Sequence, residues 1–226
     1  MKLNPRTVYQ WKKQTPKLIK TASQIPKEKL PKNIKWLNLT MEGQWKFKNF
    51  IKVPIKIKNY RDIKFVLDQL ESLDNNSVSK WKDKYGVITK YQALGYIIGL
   101  MISDADKDRR SILSYRIRMG LSKAYNWSIN MGEALCYCLS IIGIEAKRVK
   151  DGKPDKKSPN GRYVWRSQNS SFIVWLKKSC LGLNQKETTT NTPVRMSWVF
   201  NSPKEMIIWI LNGVYDGDGC AYIRGW

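Results

Sequence analysis

The sequence predicts an α+β fold in which a helix–strand–strand–helix–strand–strand–helix unit follows a basic region of mixed structure. Three observations support this. From about residue 90 onward, apolar residues at helical spacing alternate with apolar residues at strand spacing. Apolar residues make up 42% of the 226, with 10 Trp and 11 Tyr, a composition that can fill a core and differs from that of disordered chains. Two apolar helices also end alike, each with a glycine five residues before an aspartate, at Asp104 and Asp218, 114 residues apart.

The elements follow in order. Asn4-Pro5 opens a short helical pattern through Val8 and Trp11, because proline suits a first helical turn. Pro26 and Pro31 interrupt any long element. Phe50–Ile57 alternates apolar and polar residues until Pro54, which cannot donate to a ladder and so predicts an edge strand or extended segment. Ile63, Val66, Leu67 and Leu70 predict a helix over Tyr60–Leu73. A strongly apolar helix spans Thr89–Ser103, a charged turn spans Asp104–Arg110, and Ile112–Leu121 alternates as a strand. An amphipathic helix covers Trp127–Ile142. Glu145–Lys150 and Arg162–Arg166 form two strands about a Gly/Pro/Lys-rich turn at 151–161. Ser170–Leu181 is a helix with Phe172, Ile173 and Leu176 on one face, and 182–194 is a polar loop. Finally Ser202, Pro203 and Glu205 supply a cap, a first-turn proline and an early acid for a second apolar helix, Met206–Tyr215.

Charge is the strongest compositional signal. Lys and Arg number 41 against 18 acids, a net charge of +23, with a pI near 9.9. Such an excess destabilises a compact chain unless a polyanion or counterions neutralise it, and nucleic acid is the polyanion it best fits. Residues 1–60 hold 15 Lys and Arg against only Glu28 and Glu42, interleaved with Trp11, Trp36, Trp45, Phe47 and Phe50. Basic residues among rings suit phosphate contacts beside stacking surfaces. The chain has no histidine, and its 4 cysteines (Cys136, Cys138, Cys180, Cys220) form no CxxC pair, which excludes a conventional structural zinc site. No disulfide framework is indicated either. No hydrophobic leader follows Met1, and the longest apolar runs reach about half of the roughly 20 residues a membrane span needs. The expectation is a cytoplasmic protein with no membrane partner.

The two helix endings carry the chemistry. One reads Ile97-Ile98-Gly99-Leu100-Met101-Ile102-Ser103-Asp104-Ala105, the other Leu211-Asn212-Gly213-Val214-Tyr215-Asp216-Gly217-Asp218-Gly219. Gly99 with Ser103, and Gly213 with Gly217, put small residues at i and i+4 on one helix face, where a partner helix can approach closely. Packed together, the two helices would bring their carboxyl ends, and hence Asp104 and Asp218, side by side. Acids at a helix carboxyl end oppose the macrodipole by roughly 0.3–1 kcal/mol each, and two carboxylates in one site repel. A shared Mg²⁺ (or Mn²⁺) resolves both problems and favours carboxylate and phosphate oxygens. Such an ion can also activate water for phosphodiester cleavage.

Both segments resemble the LAGLIDADG motif, and the second is close to its usual form. The lead-in Asn201–Ile210 (NSPKEMIIWI) is similar to that of the second motif in intron- and intein-encoded members. The chain is thus identified as resembling the LAGLIDADG homing endonucleases, in which the eighth motif position is the metal-binding aspartate. That implies catalytic and metal-binding roles for Asp104 and Asp218, an αββαββα subdomain, and cleavage of double-stranded DNA read by β-strands in the major groove. Arg116, Arg118, Lys123, Lys147, Arg148, Lys150, Arg162 and Arg166 are the candidates for the DNA-facing strands, each alone reading equally well as a solvated charge.

The resemblance divides the chain into a basic region at 1–85, a first subdomain at 86–201 and the start of a second at 202–226. Pro5–Trp11 also resembles the second helix of a helix-turn-helix. Two departures stand out. Ala105 replaces the usual glycine at motif position nine, and the second subdomain is largely missing. The alternative function is therefore a non-cleaving binder on the same scaffold, an intron RNA maturase or a DNA-binding regulator, acting as a monomer or with a missing second half.

Overall fold

The computed structural model describes residues 36–40, 50–103, 106–109, 115–156, 158–184 and 187–218. The helix expected from Pro5, its helix-turn-helix likeness, Asp104 and Cys220 lie outside them.

A two-stranded antiparallel sheet, β1 (Trp36–Thr40) with β2 (Phe50–Pro54), precedes two helices, α1 (Tyr60–Asp68) and α2 (Asn76–Tyr85). Strand β2 stops at Pro54, as its missing amide requires. Helix α1 begins with a capping box in which Asn59 and Asp62 satisfy each other's backbone amides. It is shorter than its apolar spacing predicts. Gln69 leaves the helix to bond the amide and the carbonyl of Lys52, each at 2.8 Å, and Leu73 donates its amide to the Ser140 carbonyl. Tertiary bonds outcompete a further turn there. Helix α2 is not among the expected elements, yet its signals are in the sequence. Asn75 caps it, Gly86 ends it with φ +79°, and Val78, Trp81 and Tyr85 share one face.

From residue 90 the order is α3 (Lys90–Ile102), β3 (Asp106–Arg109), β4 (Tyr115–Ser122), α4 (Trp127–Ile141), β5 (Ala146–Gly152), β6 (Arg162–Ser167) and α5 (Ser171–Trp175), which runs on as a π turn over Leu176–Cys180. A 3₁₀ turn (Ser197–Asn201) then leads into α6 (Lys204–Asp218). The α+β class therefore stands. The four later strands form one antiparallel sheet in the order β3-β4-β6-β5. One expectation needs correction: Asp106–Arg109 is not part of a charged turn but a strand paired with β4, in register from Asp106 opposite Arg118 to Arg109 opposite Tyr115. Its run of charges carries no alternation from which a strand could be read; only the partner strand fixes it. A smaller correction concerns Ser202, whose hydroxyl donates to the Trp198 carbonyl at 3.2 Å. The Pro203 carbonyl instead accepts from Met206 and Ile207 at the start of α6.

The helices cover one face of the sheet. Ile117, Met119 and Leu121 alternate inward from β4, and the register sets Trp165 beside Met119. Helix α3 is the axis of the core, buried without interruption from Ala93 to Met101. The core continues across the boundary expected at residue 85. Ile51, Val53, Ile63, Val66, Leu67 and Val78 belong to the same cluster, Trp175 donates its indole N–H to the Pro54 carbonyl at 2.7 Å, and Ser179 donates to Ile55. Among the described residues no helix is long and apolar enough to cross a membrane.

Helix α4 lies so close to the sheet that a Cβ on Gly132 would overlap the Trp165 indole, itself 2% exposed. Overpacking of this kind costs about 1–3 kcal/mol, more than the roughly 1 kcal/mol alanine gains over glycine in a helix. Gly132→Ala should therefore lower the urea midpoint, followed by tryptophan fluorescence. An unchanged or raised midpoint would show that the indole can move aside.

Candidate metal site and nucleic-acid face

Helices α3 and α6 pack backbone against backbone. A Cβ on Gly99 would strike the Ile210 carbonyl and the Gly213 Cα, and one on Gly213 would strike the Tyr96 carbonyl and the Gly99 Cα. A Cβ on Gly95 would stand 2.7 Å from the Met206 carbonyl. Contacts advance together along both chains, ending with Ser103, whose hydroxyl bonds the Gly213 carbonyl at 3.4 Å. The helices therefore run parallel and finish at the same side of the molecule. Gly99, Ser103 and Gly213 are in contact; Gly217, one turn on, is half-buried.

Asp218 is the final residue of α6 and is exposed. Asp104, the other expected metal ligand, is outside the described residues; its neighbour Ser103 ends α3 beside Gly213. No basic residue occupies the last turn of α6, so Asp216 and Asp218 face an unrelieved macrodipole. At about 100° per residue, Asp216 and Asp218 lie on opposite flanks of the seam traced by Gly213 and Gly217. On one flank, buried Tyr96 donates its hydroxyl to Asp216 Oδ2 at 2.7 Å. Burial and the adjacent carboxylate push this phenol well above its ordinary value. Tyr96 and Asp216 were not expected to pair. The only signal is that each lies three residues from the glycine of its own motif, Tyr96 before Gly99 and Asp216 after Gly213.

The sheet divides the eight basic candidates. Opposite the buried row of β4, the register aligns Arg118 with Arg166 and Arg166 with Lys147, and Ser122 with Arg162. Arg118 and Lys147 are exposed, while Arg162 is half-exposed and held by Asp155 at 2.8 Å. Arg166 is half-buried, and its Nε has no hydrogen-bond partner among the described residues. Arg116 shares this face by alternation but is 9% exposed and has interactions within the protein. Lys150 is exposed at the irregularity between Val149 and Gly152.

Lys123 and Arg148 are occupied differently. Both reach Asp151 at 2.8 Å, and both stand over the Tyr163 ring, at 5.3 and 4.4 Å from its centroid. In register Arg148 is opposite Trp165, on the side the helices cover. Hydrogen bonds first from Arg148 and then from Lys123 pull the Asp151 carboxyl down from 3.8 to about 2.

Thiolate chemistry is disfavoured at the three described cysteines, all free and buried. Burial pushes Cys136 up to about 12 and raises Cys138 and Cys180 as well. Among the described residues no group of three or more His, Cys, Asp or Glu side chains converges. No family model, curated protein or solved structure matches the chain.

Two outcomes test this geometry. Gly99→Ala meets backbone on the facing helix, which cannot rotate away, so it should lose at least about 1 kcal/mol by urea unfolding despite the helix propensity alanine adds. Gly120→Ala is the control, since among the described residues its Cβ would meet only Arg162 Cδ at 3.7 Å; it should be neutral or slightly stabilising. Equal effects would mean that the α3–α6 seam is not tightly fixed. The depressed Asp151 carboxyl stabilises the fold fully above pH 3.8, and this contribution fades as pH falls toward 2. Asp151→Asn should therefore flatten the loss of stability over that interval relative to the parent chain. Parallel pH profiles would deny the pairing.

Proposed function

We propose that this chain is a metal-dependent, site-specific endonuclease of the LAGLIDADG homing endonuclease kind, acting on double-stranded DNA. The observation that carries the reading is the parallel, glycine-to-backbone pairing of α3 and α6, whose contacts run through the glycines of both motifs to Ser103 against Gly213. The αββαββα order of residues 90–180 supports the same family, and the +23 charge supports a nucleic-acid partner.

Carboxylates at converging helix ends suit Mg²⁺ or Mn²⁺, and Asp104 and Asp218 are the residues that would hold the ion. When bound, it would supply a Lewis acid and an activated water for phosphodiester hydrolysis. The chain's own part is to fix where those ligands sit. Gly99 and Gly213 set the separation of the helices, Ser103 ties the end of α3 to α6, and Tyr96 holds Asp216 on the flank away from Asp218. Arg118, Arg166 and Lys147 form a basic row across three strands, able to meet phosphates and base edges. Lys123 and Arg148 are committed to Asp151 and contribute less.

A cleavage assay on a randomised duplex library in Mg²⁺ tests the proposal. Asp218→Asn and Asp104→Asn should each abolish cutting while retention of the selected target persists. Arg118→Ala and Arg166→Ala should weaken binding, and each should reduce the salt slope by roughly 1 if its guanidinium neutralises one phosphate. Lys123→Ala should change that slope little. Specific retention without cutting by the parent chain would favour a non-cleaving DNA- or RNA-binding role. Cutting that survives both aspartate substitutions would refute the metal assignment.

A further inference from the structure

A second site lies on the other flank of the helix pair. There α2, α3, α4 and α6 line a half-open pocket of about 620 Å³, within the range of small-molecule sites. Aromatic rings form a large part of its walls. Tyr96, Trp127, Tyr137, Trp209 and Tyr215 line it together with the Asp216 carboxylate. Tyr96 and Trp209 meet edge to face at 6.0 Å, and Tyr137 is anchored by a hydroxyl bond to the Gly86 carbonyl. Trp127 stands half-exposed at 49%, stacked on Tyr125. The rings are thus held in place by the fold rather than by one another alone.

The charge pattern decides what such a pocket could take. Among the described residues no Lys or Arg lines it. Lys84 stands beside the pocket, 5.0 Å from the ring centroid of lining Tyr85; it donates to the Asn130 side chain, which also lines it, and pairs with Glu133 at 2.7 Å. Some acids, among them Asp68, Asp151, Asp155 and Glu133, have cationic partners, while others, such as Asp74 and Asp218, form no ion pair among the described residues. Asp216 has none among the described residues and accepts only the neutral Tyr96 hydroxyl. A carboxylate without a counter-ion beside several ring faces repels phosphate and attracts an ammonium group twice over, by charge and by the ring quadrupoles.

We infer that this pocket binds a small organic cation, its ammonium head against Asp216 and its alkyl groups against the rings of Trp127, Trp209 and Tyr215. The inference does not depend on nuclease activity, since neither DNA nor a metal enters it.

Choline is a suitable probe, with 3,3-dimethylbutanol as its uncharged isostere and adenosine monophosphate as the anionic aromatic alternative. Titration of the full chain, followed by tryptophan fluorescence and calorimetry, should show saturable choline binding and at least roughly fivefold weaker binding of the isostere. Asp216→Asn keeps the acceptor for Tyr96 while removing the charge, and should weaken choline by a similar factor. Trp127→Leu, at a half-exposed position, should also weaken it, with far-ultraviolet circular dichroism unchanged in both variants. Equal affinity for choline and the isostere, indifference to Asp216→Asn in a folded variant, or tighter binding of the nucleotide would each overturn the assignment.

Discussion

The rest of the molecule depends on the close approach of α3 and α6. Side chains ordinarily keep packed helices 8–10 Å apart. Here Gly95, Gly99 and Gly213 remove that spacer, and backbone carbonyls of each helix occupy the volume a Cβ would take on the other. Such a seam tolerates little sliding, because its contacts are between rigid backbones rather than adaptable side chains. It also fixes the ends of the two helices relative to each other, as the Ser103 bond to the Gly213 carbonyl shows. Because α3 is buried along nearly its whole length between the other helices, the sheet and α6, any shift of the seam would propagate into the core.

The sheet shows how alternation sorts charges that composition cannot. A net charge of +23 says that the chain favours a polyanion, but not which cations meet it. The register does so. Arg118, Arg166 and Lys147 align across strands on the face the helices leave uncovered, whereas Arg148 is opposite Trp165 on the covered side and turns with Lys123 to Asp151 and Tyr163. A one-residue slip would exchange these sets. The row of inward residues Ile117, Met119 and Leu121 holds the register, so the position of the basic row follows from apolar burial.

Much of this was legible in the sequence where one physical signal dominated. The long apolar helices announced themselves by period; Trp127–Ile141 and Lys90–Ile102 fall within a residue of their expected bounds. The close-packing glycines were legible because small residues at a four-residue spacing have few other uses on an apolar helix. Elements without such a signal were not legible. Asp106–Arg109 is four charged residues whose strand state comes wholly from its partner. Helix α1 gives up its last expected turn to bonds from Gln69 and Leu73, which no local pattern encodes. The bond between Tyr96 and Asp216 spans 120 residues and becomes visible only when the two helices are side by side.

That bond also gives the two flanks of the seam different chemistry. Helical geometry separates Asp216 and Asp218 by about 200°, so one carboxylate cannot serve the surroundings of the other. Tyr96 takes up Asp216 on the side of the aromatic pocket, where rings surround it and no Lys or Arg lines the site among the described residues. Asp218 is left at the exposed end of α6, on the opposite flank; were Asp104 to join it there, as proposed, two negative charges would need a cation between them. Both flanks thus pose the same electrostatic problem, an acid at the negative end of a helix in a strongly basic protein. Under the two proposals, the neighbours would determine which positive partner resolves it: ring faces would favour a large, weakly hydrated organic cation, and a second carboxylate a small, hard metal ion.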